Sequence, residues 1–563
     1  MDIKRISPDF AVSEQITPAD VAELARQGFC TIICNRPDGE SDDQPAADAV
    51  ARAAEEAGIA FRYLPVKGGE IGPEQIAAFG KLLADNKAPI LAYCRTGTRS
   101  ITLWSLVNAP RLRPEVLLAT AENAGYDLSR LAEEFAALHE NRPFNLSAEH
   151  HDIVIIGGGA AGLATAGSLL RRNPDLDIAV VEPRDEHYYQ PGWTLVGAGV
   201  FTRNQTRKPM AAVMPKGVKW IRLAAAAFLP EQDEVILENG EVLSYKQLVV
   251  APGIKLDWDR IEGLRETLGR NGVTSNYTWD TAPYTWELVK GLGRGRAIFT
   301  QPPMPIKCAG APQKVMYLSA DYWHRKGRLK DIEIEFYNTG AVLFGVQEYV
   351  PALEEYVRKY DARLHFGHTL VKVDGENRVA TFEVTDENGP RTVERTFDML
   401  HVSPPQTAPD FIRISPLANE AGWVDVDQFT LRHTRYPNVW SLGDASSAPN
   451  AKTAAAVRKQ APVVAENIVA VMAGGEPVVG YNGYGSCPLT VERGRIVLAE
   501  FAYGGRLDPS FPSFILDGRK PTRLAWFMKE KLLPPMYWYL MFRGHEWLAE
   551  PQPLNELVPA VAE

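Results

Sequence analysis

The chain has 563 residues, 45% of them hydrophobic and 23% charged, which excludes a disordered protein and points to three or four domains of ordinary size. Its 60 basic and 70 acidic side chains leave a net charge of -10, which argues against a nucleic-acid partner. No window reaches the roughly 18 unbroken apolar residues of a spanning helix. The polar start Met1-Asp2-Ile3-Lys4-Arg5-Ile6 reads as cytoplasmic rather than secretory, and five cysteines are too few for a structural disulfide framework.

Up to about residue 140, short apolar runs alternate with amphipathic segments. Strands are expected over 29–34, 61–66 and 89–93 and helices over 46–56 and 73–84, an α/β domain with a largely parallel sheet. The third strand runs into Cys94-Arg95-Thr96-Gly97-Thr98-Arg99-Ser100 and an apolar helix over 101–107. Successive backbone N–H groups at such a helix start favour an anion and a thiolate, so Cys94 and Arg99 are candidate catalytic residues. Four residues separate Cys94 from Arg99, where tyrosine-phosphatase-like loops have five, and Tyr93 stands in place of their histidine. The loop therefore fits rhodanese-type persulfide transfer better than phosphate ester hydrolysis, with phosphatase chemistry left open. With its turn Asn35-Arg36-Pro37-Asp38-Gly39-Glu40, the segment resembles the phosphatase-like sulfurtransferase domain found fused to enzymes of sulfur metabolism. Cys30 and Cys34 read as core thiols. Helices over 113–124 and 128–138 close the domain, and polar residues 141–150 read as a linker.

The next strand, Ile153-Val154-Ile155-Ile156, turns through Gly157-Gly158-Gly159-Ala160-Ala161-Gly162 into a helix over 163–172, and a second strand over 178–181 ends at Glu182. Gly157, Gly159 and Gly162 satisfy the dinucleotide fingerprint, with Ala161 in the same turn and Glu182 placed for ribose hydroxyls. Two later segments make the cofactor FAD: Leu248 to Gly253, a strand ending in a turn, and Trp440-Ser441-Leu442-Gly443-Asp444-Ala445, with Gly443 and Asp444 where such folds hold the ribityl chain.

A second nucleotide site is expected to be degenerate. The strand over 297–301 is followed by Pro302-Pro303-Met304-Pro305-Ile306-Lys307-Cys308-Ala309-Gly310, without spaced glycines and with prolines that lack N–H donors. The following strand, over 332–337, ends in Asn338 rather than an acid. Cys308 stands in the loop that would have held the nucleotide, and with Cys487 it is one of only two thiols after residue 151.

Residues 151–563 resemble the sulfide:quinone oxidoreductases, in particular the subgroup containing the mitochondrial enzymes. The resemblance rests on Lys307-Cys308-Ala309-Gly310-Ala311-Pro312-Gln313-Lys314, Ala421-Gly422-Trp423-Val424-Asp425-Val426-Asp427, Lys452-Thr453-Ala454-Ala455-Ala456-Val457 and Gly485-Ser486-Cys487-Pro488-Leu489. It implies that Cys308 and Cys487 are the redox pair, joined directly or through a bridging sulfur over the isoalloxazine, with Lys452 at the cofactor. Hydrosulfide would open the pair, leaving a persulfide and a thiolate whose electrons pass into FAD, and a small thiol or sulfite would remove the sulfur. Lys307, beside Cys308, is a candidate for lowering its pKa, but an exposed lysine is the preferred reading.

From Thr522 to Leu548 the chain is dense in Trp, Tyr, Met and Leu with interspersed Lys and Arg. Two short helices broken at Pro534-Pro535 would lie on a membrane surface with Trp526, Phe527, Tyr537 and Trp538 facing lipid or quinone. The expected class is α/β: a phosphatase-like domain (1–140), an FAD domain (151–295 and 401–490), a degenerate second nucleotide domain (296–400) and an aromatic helical tail (491–563). The expected substrates are sulfide, a quinone and a small sulfur acceptor, on a protein peripheral to the inner face of the membrane. No metal is expected, and a homo-oligomer is left open. Two other readings stand beside this one: a type-II NADH:quinone dehydrogenase fused to a cysteine phosphatase, and an N-terminal domain that only docks partners.

Overall fold

The computed structural model describes every residue except Met1, Pro8, Glu70, Arg113, 141–147, 387–388, 450–451 and 558–563. Most of the expected linker thus lies outside the described residues. The chain divides into two compact units, Met1–Ser147 with Gly240–Val242, and Ala148–Asn239 with Leu243–Glu563.

The first unit is a five-stranded sheet in the order Ile3–Ser7, Phe10–Ser13, Ile90–Tyr93, Thr31–Cys34, Ala60–Tyr63. The last four strands run parallel, as the βαβ alternation predicts. The N-terminal hairpin was not expected. Phe10–Ser13 is only four residues long, too short for periodicity to reveal, yet all four are buried beside Ile90–Tyr93. Cys34 lies in the core beneath this sheet, whereas Cys30 is half-exposed.

In the second unit five strands are parallel in the order Lys219–Ile221, Ile178–Val181, Glu149–Ile156, Val242–Val250, Val439–Ser441. Ile156 pairs with Val250 and Val250 with Ser441, so the loops after all three strands open at one edge of the sheet. A second parallel sheet is ordered Val273–Thr274, Met399–His401, Gly295–Gln301, Ile332–Asn338, Arg363–Phe366. It draws its first strand from before residue 296. The hairpin Gly485–Glu492 with Arg495–Phe501 packs its Cys487, Leu489 and Val497 into the core of that second sheet, which carries one cysteine toward the other.

The C-terminal stretch departs from expectation. Helical conformation continues through Pro534 and Pro535, from Arg523–Phe527 to Met541–Arg543, because π-helical turns at Met528–Leu532 and Met536–Leu540 flank the prolines. The wider turn shifts the hydrogen-bond register around two residues that have no N–H to give.

Candidate functional site

Three loops at the sheet edge form a cradle. A Cβ on Gly157, whose φ is +102°, would strike the Ala251 carbonyl, and one on Gly162 would strike the carbonyl of Gly157. On Gly159 it would meet nothing within 4 Å, so the glycine that must admit a pyrophosphate faces open space. Ala161 is buried behind it at the start of helix Ala160–Arg172. The Glu182 carboxylate is fixed at the rim by the N–H groups of Gly158 and Arg184, each at 2.9 Å. Gly253 and Gly443 supply positive-φ turns at 82° and 71°. The Gly443 N–H donates to Gln460 Oε1 at 2.9 Å, and the adjoining Asp444 carboxyl is pushed up by burial against the pull of Lys452 and Lys307. Lys452 donates to the carbonyls of Asp444 and Ser446 at 2.8 and 3.0 Å and lies 4.0 Å from the Trp423 ring centre; burial lowers its ammonium to about 8. Thr407 Oγ1 is buried without a hydrogen-bond partner among the described residues. Open space at Gly159, a fixed rim carboxylate and an unpaired hydroxyl fit a bound dinucleotide.

The cysteine loop is tied to this cradle through its backbone. Cys308 N–H donates to the Lys452 carbonyl at 2.9 Å, Lys307 N–H to Gln406 Oε1 at 2.8 Å, and the Tyr277 hydroxyl to the Lys307 carbonyl at 3.2 Å. Cys308 takes φ +53°, a left-handed conformation that a non-glycine residue holds only where its surroundings impose it. Its Sγ stands 3.7 Å from Cys487 Sγ and 3.0 Å from Lys314 Nζ. Gly310 makes the approach feasible, since a Cβ there would lie 2.6 Å from Cys487 Sγ.

Hydrogen bonding from Cys487, reinforced by Lys314, holds the Cys308 thiol well below its ordinary range, while Cys487, the donor, is raised. Lys307 is not the partner and is not exposed. It is half-buried, donating to Gln190 Oε1 at 2.7 Å. In the sequence Lys314 stood only as the last residue of the family-like run 307–314, with no role attached, and helix Ala311–Arg325 turns it back toward Cys308. Removing a cation raises a neighbouring thiol's pKa and thins its thiolate at fixed pH. Lys314→Met is therefore expected to slow alkylation of Cys308 by iodoacetamide in the reduced protein at pH 7 about tenfold, read by mass spectrometry.

Of the four aromatic residues expected to face lipid or quinone, three are buried. Trp526 packs with Leu195, Leu318 and Leu498. Tyr537 donates to His187 Nε2 at 2.7 Å, and His187 Nδ1–H donates to the Gly158 carbonyl at 3.0 Å; burial lowers this imidazole to about 4, which leaves it neutral. Trp538 joins the cofactor-domain core. Phe527 alone of the four is exposed, and the outward apolar residues are Phe514, Ile515, Leu524, Leu532, Tyr539, Leu540 and Trp547. Composition showed an amphipathic tail but not which aromatic residues turn inward. No described helix is long and apolar enough to cross a membrane.

In the first unit, Cys94 is buried at the end of Ile90–Tyr93, ahead of helix Thr98–Asn108. Gly97, φ +86°, lies under the Tyr126 hydroxyl, where any Cβ would collide. Arg99 closes a two-pronged pair with Glu40 at 2.6 and 2.8 Å and donates to the Val66 carbonyl at 2.6 Å. Arg36 Nε reaches the same carboxylate at 3.0 Å. Glu40, in the turn noted from the sequence, thus orients the loop arginine and is itself held in its charged form.

A thiol pair pinned to a dinucleotide cradle inside two parallel-sheet domains defines an FAD-dependent disulfide flavoprotein. A family model for pyridine nucleotide-disulphide oxidoreductases matches residues 151–282. The chain belongs to the sulfide:quinone oxidoreductase family. It is 39% identical over 396 residues to the mitochondrial sulfide:quinone oxidoreductase of Mus musculus, a match spanning 70% of this chain and 87% of that one. It is 42% identical over 395 residues to the Dictyostelium discoideum enzyme, spanning 70% and 86%. The solved structure of the Aquifex aeolicus enzyme superposes with a TM-score of 0.59 at 20% identity, over 71% of this chain and 92% of that one. Residues 2–110 match the phosphatase-like domain of beta-lactamase hydrolase-like proteins. One such protein, from Xylella fastidiosa, is 36% identical over 132 residues, 23% of this chain and 31% of its own length.

Proposed function

We propose that the second unit oxidises sulfide at the Cys308–Cys487 pair and passes the electrons through FAD to a quinone. The observation that carries this is the 3.7 Å approach of Cys487 Sγ, on the strand Gly485–Glu492, to Cys308 Sγ, on a loop bonded to the cofactor cradle. In the joined state hydrosulfide attacks one sulfur and the other leaves as a thiolate. Cys308, beside Lys314, is the better leaving group, so attack falls on Cys487 and the persulfide forms there. FAD held by the cradle would supply the two-electron acceptor for the thiolate, and a small thiol or sulfite removes the sulfur so that the pair rejoins. Anaerobic titration of the purified protein with sulfide, then with a quinone analogue, tests the assignment. Sulfide bleaches the flavin and quinone restores it; rapid bleaching by NADH and none by sulfide would overturn it in favour of a dehydrogenase. The Pro302 to Pro305 loop and the self-capping of Asn338, whose side chain bonds Gly340 N–H and the Val342 carbonyl, support the loss of a nucleotide there.

In the first unit, Cys94 carries sulfur, with Arg99 and the loop N–H groups holding an anionic donor or acceptor. Cys94→Ser is expected to abolish sulfur transfer from thiosulfate or a persulfide while sulfide-dependent bleaching stays within about twofold, a split read by paired assays. Unchanged transfer would reduce this unit to a docking module.

The outward apolar face of the tail seats the protein on a membrane surface, from which a quinone reaches the flavin without crossing water. Phe527→Asp combined with Trp547→Asp is expected to lower co-sedimentation with lipid vesicles about tenfold, since each removes a large apolar side chain from the interface.

A further inference from the structure

The cysteine pair faces two lysines, and only one has an evident partner. Lys314 meets Cys308 Sγ at 3.0 Å. Lys529 arrives from the C-terminal stretch, in the turn Met528–Leu532. Packing fixes where it lies. Ala525 and Trp526, one turn earlier, cluster with Leu318, one turn past Lys314, and with Leu498, which is the strand partner of Pro488 next to Cys487. Lys529 follows them inward, 5% exposed, and its charged neighbours are Lys314, Cys308 and Cys487. It forms no ion pair with a carboxylate among the described residues.

A buried ammonium without a counter-ion is unfavourable and is held toward its neutral amine. Beside the open thiols, burial, then repulsion by Lys314, brings Lys529 down to about 7, whereas Cys308 and Cys487 raise Lys314 against its own burial. The opening of the cysteine pair creates two anions at once, a thiolate and a persulfide, and Lys314 answers only the first.

We propose that Lys529 takes the proton of the incoming hydrosulfide and, as the ammonium so formed, pairs with the persulfide anion on Cys487. The inference rests on the cysteine chemistry proposed above. In the step, the hydrosulfide sulfur bonds to Cys487 Sγ, the bond between the two cysteines breaks with its electron pair on Cys308, and the S–H proton moves to the Lys529 amine. No outside oxidant is required. Lys529 is thereby a reacting residue supplied by the same segment whose Leu524, Phe527 and Leu532 face outward, so seating of the tail and reactivity at the cysteines are joined.

The test is anaerobic stopped-flow bleaching of the FAD-loaded, full-length protein by sulfide between pH 6 and 9, with mass-spectrometric trapping of the persulfide on Cys487. Among the groups facing Lys529, the two cysteines are joined before the reaction and so no longer raise Lys314 or Lys529. The acid limb assigned to sulfide and Lys529 is therefore the part of the wild-type profile that persists in Lys314→Met. Lys529→Met is expected to lose about 100-fold in limiting rate, to raise half-saturating sulfide and to trap little persulfide. Lys529→Arg keeps the charge but accepts no proton, so half-saturating sulfide stays within about threefold while the rate falls at least about tenfold and the acid limb drops to a single ionisation. FAD content and melting temperature identify a misfolded Met variant, in which case the Arg slope decides. Variants within twofold of wild type in rate, saturation and slope would overturn the role of Lys529, and a wild-type protein that sulfide never bleaches would instead overturn the underlying function.

Discussion

Replacing Cys308 by serine is expected to reduce sulfide-dependent flavin bleaching by a factor on the order of 10³ or more while FAD stays bound. The cradle is built from other residues, Gly157, Gly159, Gly162, Glu182 and the Gly443 turn, so cofactor absorbance survives the change. Serine keeps a hydroxyl where the thiol stood but cannot form the bond to Cys487. Cys487→Ser should match it, and the double variant should be no worse than either, because residues acting as one unit are not additive. Bleaching that stays within tenfold of wild type in either single variant would remove the pair from the mechanism.

The second large effect is expected at Gly310. Its φ of -87° suits any residue, so an alanine brings no backbone strain and tests only space. The new methyl carbon would stand 2.6 Å from Cys487 Sγ and press on Leu489, and the sulfurs, now 3.7 Å apart, would have to separate. A displacement near 1 Å at a reacting centre costs roughly 100-fold. Gly310→Ala should therefore lower sulfide-dependent bleaching by about that factor and slow rejoining of the reduced thiols in air, with FAD content unchanged. Rejoining at the wild-type rate would show that the pair tolerates the methyl group and that the close approach is not required.

The cofactor cradle was legible in the sequence because its demands are made of the backbone. Only glycine satisfies the contacts at 157 and 162, and the strand, turn and acid around them occur in order. The cysteine pair was legible for a different reason: Cys308 and Cys487 are the two thiols after residue 151, and the runs around them resemble those of the sulfide:quinone oxidoreductases, a likeness that implies their pairing. Lys314 and Lys529 were not legible. A lysine is ordinarily a solvated side chain, and nothing local announces that a helix after one cysteine and a tail beyond the other converge on them. The N-terminal hairpin escaped because four residues make too short a pattern, and the Pro534-Pro535 pair misled because π-helical turns accommodate what an α-helix does not. Aromatic density marked the tail as amphipathic, yet Trp526, Tyr537 and Trp538 turned inward because each had an internal partner or core to fill.

The bond from Tyr537 to His187, and from His187 to the carbonyl of Gly158, has a further consequence. The bare glycines of Gly167 and Gly544 let the two backbones touch alongside it. The last helical turns and the glycine-rich turn are thus a single mechanical assembly: shearing those turns away would release the loop carbonyl that His187 holds.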